Sequence, residues 1–167
     1  WTTPKNPWGC GKLECPDCRQ ATYRDYRRTY LAGVPATATT MGQITLTPPS
    51  FESVDDQAEW NANGLAPLIK EFQRTIQRRL PGSKTVIALG AQRRGSPDLH
   101  ANIFVNSNVS DDDLATALER ARTVTAAGFR FGPIHEINIY EINETTLTLS
   151  AHYLAKNAAT PVRHWRT

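Results

Sequence analysis

A chain of 167 residues, 40% of them hydrophobic and 21% charged, has room for one compact domain with a small appendage, and this composition excludes a disordered or collagen-like protein. No apolar run approaches the roughly 18 residues that a membrane span requires. No charged-then-apolar secretory layout opens the chain either, so no membrane partner is expected and the protein reads as intracellular. Its start at Trp1 reads as a segment of something longer. The formal charge of +3 announces no partner by itself, but its distribution is uneven. Arg19, Arg24, Arg27 and Arg28 crowd one stretch, and Lys70, Arg74, Arg78, Arg79, Lys84, Arg93 and Arg94 crowd another. They read either as two basic patches for a polyanion or as two solvated helix faces.

Residues 1–18 are rich in Gly, Pro and Cys without periodicity, and read as an irregular arm ahead of a domain over 19–167. In the arm, Cys15-Pro16-Asp17-Cys18 has the spacing that lets two thiolates reach one zinc ion, with Cys10 as a third ligand. A fourth ligand would come through space or from sequence outside the chain; the alternative is three reduced surface thiols. A helix is predicted over Arg19 to Leu31, where Tyr23, Tyr26 and Tyr30 recur at helical spacing before Gly33 and Pro35. Thr39 to Thr47 alternates, with Gly42, Ile44 and Leu46 on one side and Gln43, Thr45 and Thr47 on the other, as a half-buried strand does. After Pro48-Pro49, a long helix runs through Leu65, Leu68, Ile69, Phe72, Ile76 and Leu80, with its basic residues on the other face.

Thr85 to Gln92 reads as a second strand, Arg93 to Pro97 as a turn, and Leu99 to Val105 as a third strand with apolar odd positions. Asp98, His100 and Asn102 share its opposite face, and Phe104 is the apolar exception there. Ser110 caps a helix whose first turn carries three aspartates, favourable against the helix dipole, and which buries Leu114, Leu118, Ala121 and Val124. In a fourth strand, Ile134 to Ile142, Ile137 and Ile139 face one way and Glu136, Asn138 and Tyr140 the other. A last helix spans about 147–158. This order of elements predicts an α+β fold: a central antiparallel sheet of about four to five strands flanked by helices, with the helices packed on one face.

Two clusters carry chemistry. From Gln92 to His100 the chain is densely polar beside a buried strand; Asp98 and His100 project to one side, and Gln92 shares a face with Gly90. A cation held across the hairpin is one reading, and a hairpin whose polar groups simply meet water is the other. In the last helix, a three-residue interval places Tyr153 and Lys156 on one face. An un-ionised phenol is a poor nucleophile, and a neighbouring cation with a metal-polarised phosphate is what makes its attack feasible. A packed tyrosine beside a solvated lysine is the plain alternative.

These residues occur in a recognisable order. Cys15-Pro16-Asp17-Cys18 leads into Tyr23-Arg24-Asp25, and a strand ends in Ile44-Thr45-Leu46-Thr47-Pro48-Pro49-Ser50-Phe51. Gln92-Arg93-Arg94-Gly95 precedes the histidine and its hydrophobic strand, and Tyr153-Leu154-Ala155-Lys156 closes the chain. In this order the chain resembles, over nearly its whole length, the replication initiators of actinobacterial rolling-circle plasmids and integrative elements, within the HUH endonuclease superfamily. The resemblance implies a sheet like that of RNA-recognition domains and a bacterial, cytoplasmic enzyme that nicks and rejoins single-stranded origin DNA. Tyr153 would be its single nucleophile, leaving a 5′-phosphotyrosine bond, and Lys156 would stabilise charge at the phosphate or help deprotonate the phenol. Mg²⁺ or Mn²⁺ would be held by Asp98 and His100, with Gln92 or Glu136 as the further ligand. Arg93, Arg94, Arg78, Thr45 and Thr47 would contact DNA, and a helicase and host replication proteins would be further partners. The chain departs from the family where Asp98 replaces the first of two histidines and where Gly90 stands near the position of an acidic ligand. The competing reading is a non-catalytic single-stranded DNA-binding module of the same fold.

Overall fold

The computed structural model describes residues 15–46, 51–91, 99–128 and 137–159. Its elements in chain order are α1 (Pro16–Gly33), β1 (Thr40–Leu46), α2 (Val54–Glu59), a π-helical turn (Trp60–Gly64) and α3 (Leu65–Arg79). There follow β2 (Lys84–Ala91), β3 (Leu99–Ser107), α4 (Asp111–Gly128), β4 (Asn138–Glu141) and α5 (Glu144–Ala158). The four strands form one antiparallel sheet in the order β2-β3-β1-β4. The fold is therefore α+β, as the alternation of strand and helix patterns predicts.

Strand periodicity divides the core in two. Ala101, Ile103 and Val105 of β3, with Ile44 and Leu46 of β1, face α3 and α4 and pack against Leu68, Phe72, Ile76, Leu114 and Leu118. Apolar positions at three- and four-residue spacing make each of these helices a one-sided wedge. Gly42 lets α4 come close: a Cβ there would stand 2.3 Å from Leu118 Cδ1. On the other face of the sheet, Phe104, Met41 and Ala88 pack with Tyr30 of α1 and Ala151 and Leu154 of α5. The expectation of helices on one face alone is thus corrected. Phe104, Met41 and Ala88 put apolar side chains on the second face too, and burying them takes a second helical layer.

Helix α1 sits over the β2 side of that second face. The Tyr26 hydroxyl donates to the Ile87 carbonyl at 2.9 Å, and Tyr30 and Ser150 hydroxyls are hydrogen-bonded at 3.0 Å. Burial raises the Tyr26 phenol above its usual pKa, because the ionised form would lose its hydration. Helix α5 buries Ser150, Ala151, Leu154 and Ala155, and three of these are small enough to let its backbone lie close to α1 and β2. It begins three residues earlier than its apolar pattern predicts. Asn143 Oδ1 accepts from the Thr146 amide, and Thr146 Oγ1 accepts from the Asn143 amide, both at 2.9 Å. This reciprocal cap satisfies two of the amides a helix start leaves open.

Helix α1 also starts earlier than expected, with Cys15 as its N-cap and Pro16 in its first turn. Cys18 is accordingly a buried helical residue and not part of an irregular arm. Helix α2, capped by the Ser53 hydroxyl on the Asp56 amide at 3.1 Å, had no counterpart in the periodicity.

Candidate active site

The second face is only partly covered. α5 lies toward β2 and α1, and beside it the surface of β1, β3 and β4 opens into a cleft lined by Met41, Gln43, Phe104, Tyr140, Thr146, Leu149, Ser150 and Tyr153, among others. Tyr153 stands at the edge of this cleft. Its hydroxyl donates to Asn102 Oδ1 at 3.1 Å, and its ring meets Phe104 edge-on with centroids 6.1 Å apart. At 39% exposure, the phenol is anchored at its tip yet open to solvent along its side.

Asn102 is completely buried at the centre of the sheet, between Ala88 of β2 and Thr45 of β1 in register. Its Oδ1 accepts a second bond, from the Thr45 hydroxyl at 3.2 Å. Its Nδ2 has no hydrogen-bond partner among the described residues. A buried amide with an unpaired N–H costs stability, and Asn106 on the same face of β3 is likewise buried with no partner for its amide among the described residues; what distinguishes Asn102 is the phenol that it holds. His100 lies two residues earlier on β3, hence on the same face, and pairs in register with Gly90. One strand therefore supplies an imidazole and an amide to the surface on which the phenol rests.

Of the residues singled out by sequence, Tyr153, His100 and Thr45 are brought to this face. Lys156 is exposed on α5, one turn beyond Tyr153. Arg78 is not part of the group, because α3 lies behind the sheet, against the face opposite to Tyr153. Cys15 and Cys18 lie at the start of α1. Asp98, Gln92, Glu136, Arg93, Arg94, Thr47 and Cys10 lie outside the described residues. Among the described residues no three His, Cys, Asp or Glu side chains converge on a common point.

The basic residues of α1 are on the same side of the sheet as Tyr153. The Tyr23 hydroxyl and His152 Nδ1 are hydrogen-bonded at 2.5 Å with the rings edge-on, so His152, which also lines the cleft, is tied to α1. Arg19 and Arg27, four residues either side of Tyr23, fall on the same stripe of α1. Asn102 had been visible in the sequence only as a polar residue on the His100 face. Its contact with Tyr153 spans 51 positions and shows only in the folded chain. Gln43, Tyr140 and Leu149 were likewise unremarked as cleft residues; the signal that marks them is exposure, since Tyr140 and Leu149 are large apolar side chains left open to water.

Comparison with protein-family models, with curated proteins and with solved structures finds no match to this chain.

Proposed function

We propose that this domain is a replication-initiator nuclease that nicks and rejoins single-stranded origin DNA through a 5′-phosphotyrosine intermediate, as in rolling-circle replication. The observation that carries the reading is the placement of the Tyr153 hydroxyl on Asn102, above the strand that holds His100 and at the edge of an open cleft.

In the reaction the Tyr153 oxygen attacks the scissile phosphorus and loses its proton. The P–O3′ bond breaks, and the departing 3′-oxygen takes up a proton to become a free 3′-hydroxyl that primes synthesis. Since one phosphodiester replaces another, the reverse attack by a 3′-hydroxyl rejoins the strand. Asn102 holds the phenol by accepting its hydrogen bond, which limits the positions from which the oxygen can attack. Lys156 and the α1 arginines favour the approach of a polyanion to this side of the sheet.

The residue types suit a hard divalent ion: Asp98, outside the described residues, would offer a carboxylate and His100 an imidazole, while Asn102 Oδ1 is already taken by the Tyr153 and Thr45 hydroxyls. Bound there, Mg²⁺ or Mn²⁺ would polarise the non-bridging phosphate oxygens. The test is to incubate the protein and its Tyr153→Phe variant with randomised single-stranded DNA, with Mn²⁺ or with chelator, and to look for denaturant-resistant adducts. Adducts that need both the metal and Tyr153 are expected. Their absence in every lane, with DNA still bound, would leave a non-catalytic single-stranded DNA-binding module.

A further inference from the structure

The cleft beside Tyr153 has features that phosphoryl transfer does not require. It encloses about 310 Å³. Met41, Gln43 and Phe104 form its floor on β1 and β3, Tyr140 stands on one side from β4, and Thr146, Leu149 and Tyr153 on the other from α5. Among the described residues five large hydrophobic side chains are exposed, and three of them, Tyr140, Leu149 and Tyr153, line this one cleft. Leu149 is 63% exposed, whereas Ala151 and Leu154 on the opposite side of the same helix are fully buried. Apolar surface left open at one place is the mark of a binding site.

The cleft is not uniformly apolar. At its floor the Tyr140 hydroxyl donates to Gln43 Oε1 at 3.2 Å. That bond orients the amide and leaves its Nε2 as a donor, with the second lone pair of Oε1 as an acceptor. A donor and an acceptor side by side, between apolar walls, match the edge of a nucleobase, which offers the complementary pair in its ring plane. The walls match its faces, because every base has a π-surface that stacks on aromatic or apolar side chains. An aliphatic ligand would leave the Gln43 amide unused, and a phosphate would find neither lysine nor arginine among the lining residues, whose one imidazole, His152, is hydrogen-bonded to Tyr23.

We propose that this cleft is a nucleobase pocket: it takes one unstacked base of the single-stranded substrate, next to the phosphate presented to Tyr153, and reads that base through Gln43. The proposal rests on the single-stranded DNA reading above and adds to it the source of sequence preference at one position. The base enters between Tyr140 and Leu149 and its edge meets the Gln43 amide. The sugar-phosphate backbone then runs over the α5 edge past Tyr153.

The experiment is equilibrium selection from a randomised single-stranded DNA pool in the presence of chelator, so that no cleavage is needed, with wild type, Gln43→Leu, Leu149→Ala and Tyr140→Ala, followed by sequencing. Wild type is expected to enrich one base at one position. Gln43→Leu should flatten that position alone. Leu149→Ala and Tyr140→Ala should weaken binding of the selected sequence roughly five- to a hundredfold, the scale of one lost stacking contact. Leu149 is so exposed that its truncation leaves the fold intact, which keeps the test valid if Gln43→Leu folds poorly. DNA binding whose base preference ignores all three variants would overturn the pocket, while adducts at Tyr153 would still uphold the nickase. A Gln43-dependent preference without adducts would uphold the pocket and overturn the nickase. Failure to bind the pool at all would overturn both.

Discussion

Replacing Asn102 by leucine should separate stability from activity. Leucine keeps the branch at Cγ and is flanked in register by the small residues Ala88 and Thr45, so it has lateral room. Two hydrogen bonds are lost, from Tyr153 and from Thr45. Each is worth about 1 kcal/mol net, and both donors lie partly open to solvent and turn to water. Against this, the exchange removes a buried amide N–H that has no partner among the described residues, a cost of about 1–3 kcal/mol. The balance runs from a loss of about 1 kcal/mol to a gain of about 1 kcal/mol, and at roughly 2–4 °C per kcal/mol for a chain of this size the melting temperature moves by no more than about 4 °C either way. The phenol, without its acceptor, loses its fixed position, and a misplacement of about 1 Å lowers rates by roughly a hundredfold. Thermal melts together with initial rates of adduct formation check both halves. Destabilisation beyond about 2 kcal/mol would show that Asn102 is held for packing, and an unchanged rate would show that it does not position Tyr153.

Two further predictions concern the scaffold. Gly42→Ala places a methyl against Leu118 in a fully packed layer and should cost about 1–3 kcal/mol; if Leu118→Ala is introduced as well, the two costs should sum to less than their separate values, as a double-mutant cycle in denaturant will show. Tyr26 makes stability fall in alkaline solution. Its folded-state pKa lies above the unfolded one, so the folded chain holds the proton longer; the stabilisation is complete below about pH 10 and is lost as pH rises through the folded value. Denaturant melts at pH 8 and above pH 10 should show this loss in wild type and a smaller one in Tyr26→Phe, and equal losses would count against the assignment.

Long periodic segments were legible before folding. The β3 alternation, the α3 wedge and the Ser110 cap with its three aspartates each rest on spacing within one element, and each appears as predicted. What escaped depends on relations between elements. The second helical layer was announced by a single irregularity, Phe104 among polar neighbours, which becomes meaningful only beside Met41 and Ala88 from other strands. The early start of α5 rests on an Asn-Thr pair in place of the commoner Ser/Thr-Glu box, and α2 is too short to show a period. At the site, Tyr153, Lys156 and His100 were found by residue type. Asn102 was not, because an asparagine in a strand advertises a polar face and not the phenol that comes to rest on it.

The sheet also acts as a partition. Behind it, α3 and α4 close a core made almost wholly of aliphatic and phenylalanine side chains; in front of it lie α1, α5 with the phenol, the β3 amide and the open cleft. The buried side chains of the two compartments form separate clusters joined through the strand backbone, so substitutions in the rear cluster should act on the front only through the sheet. An engineer could harden this molecule from behind, layer by layer, and keep the working surface free to change its preference for what it binds.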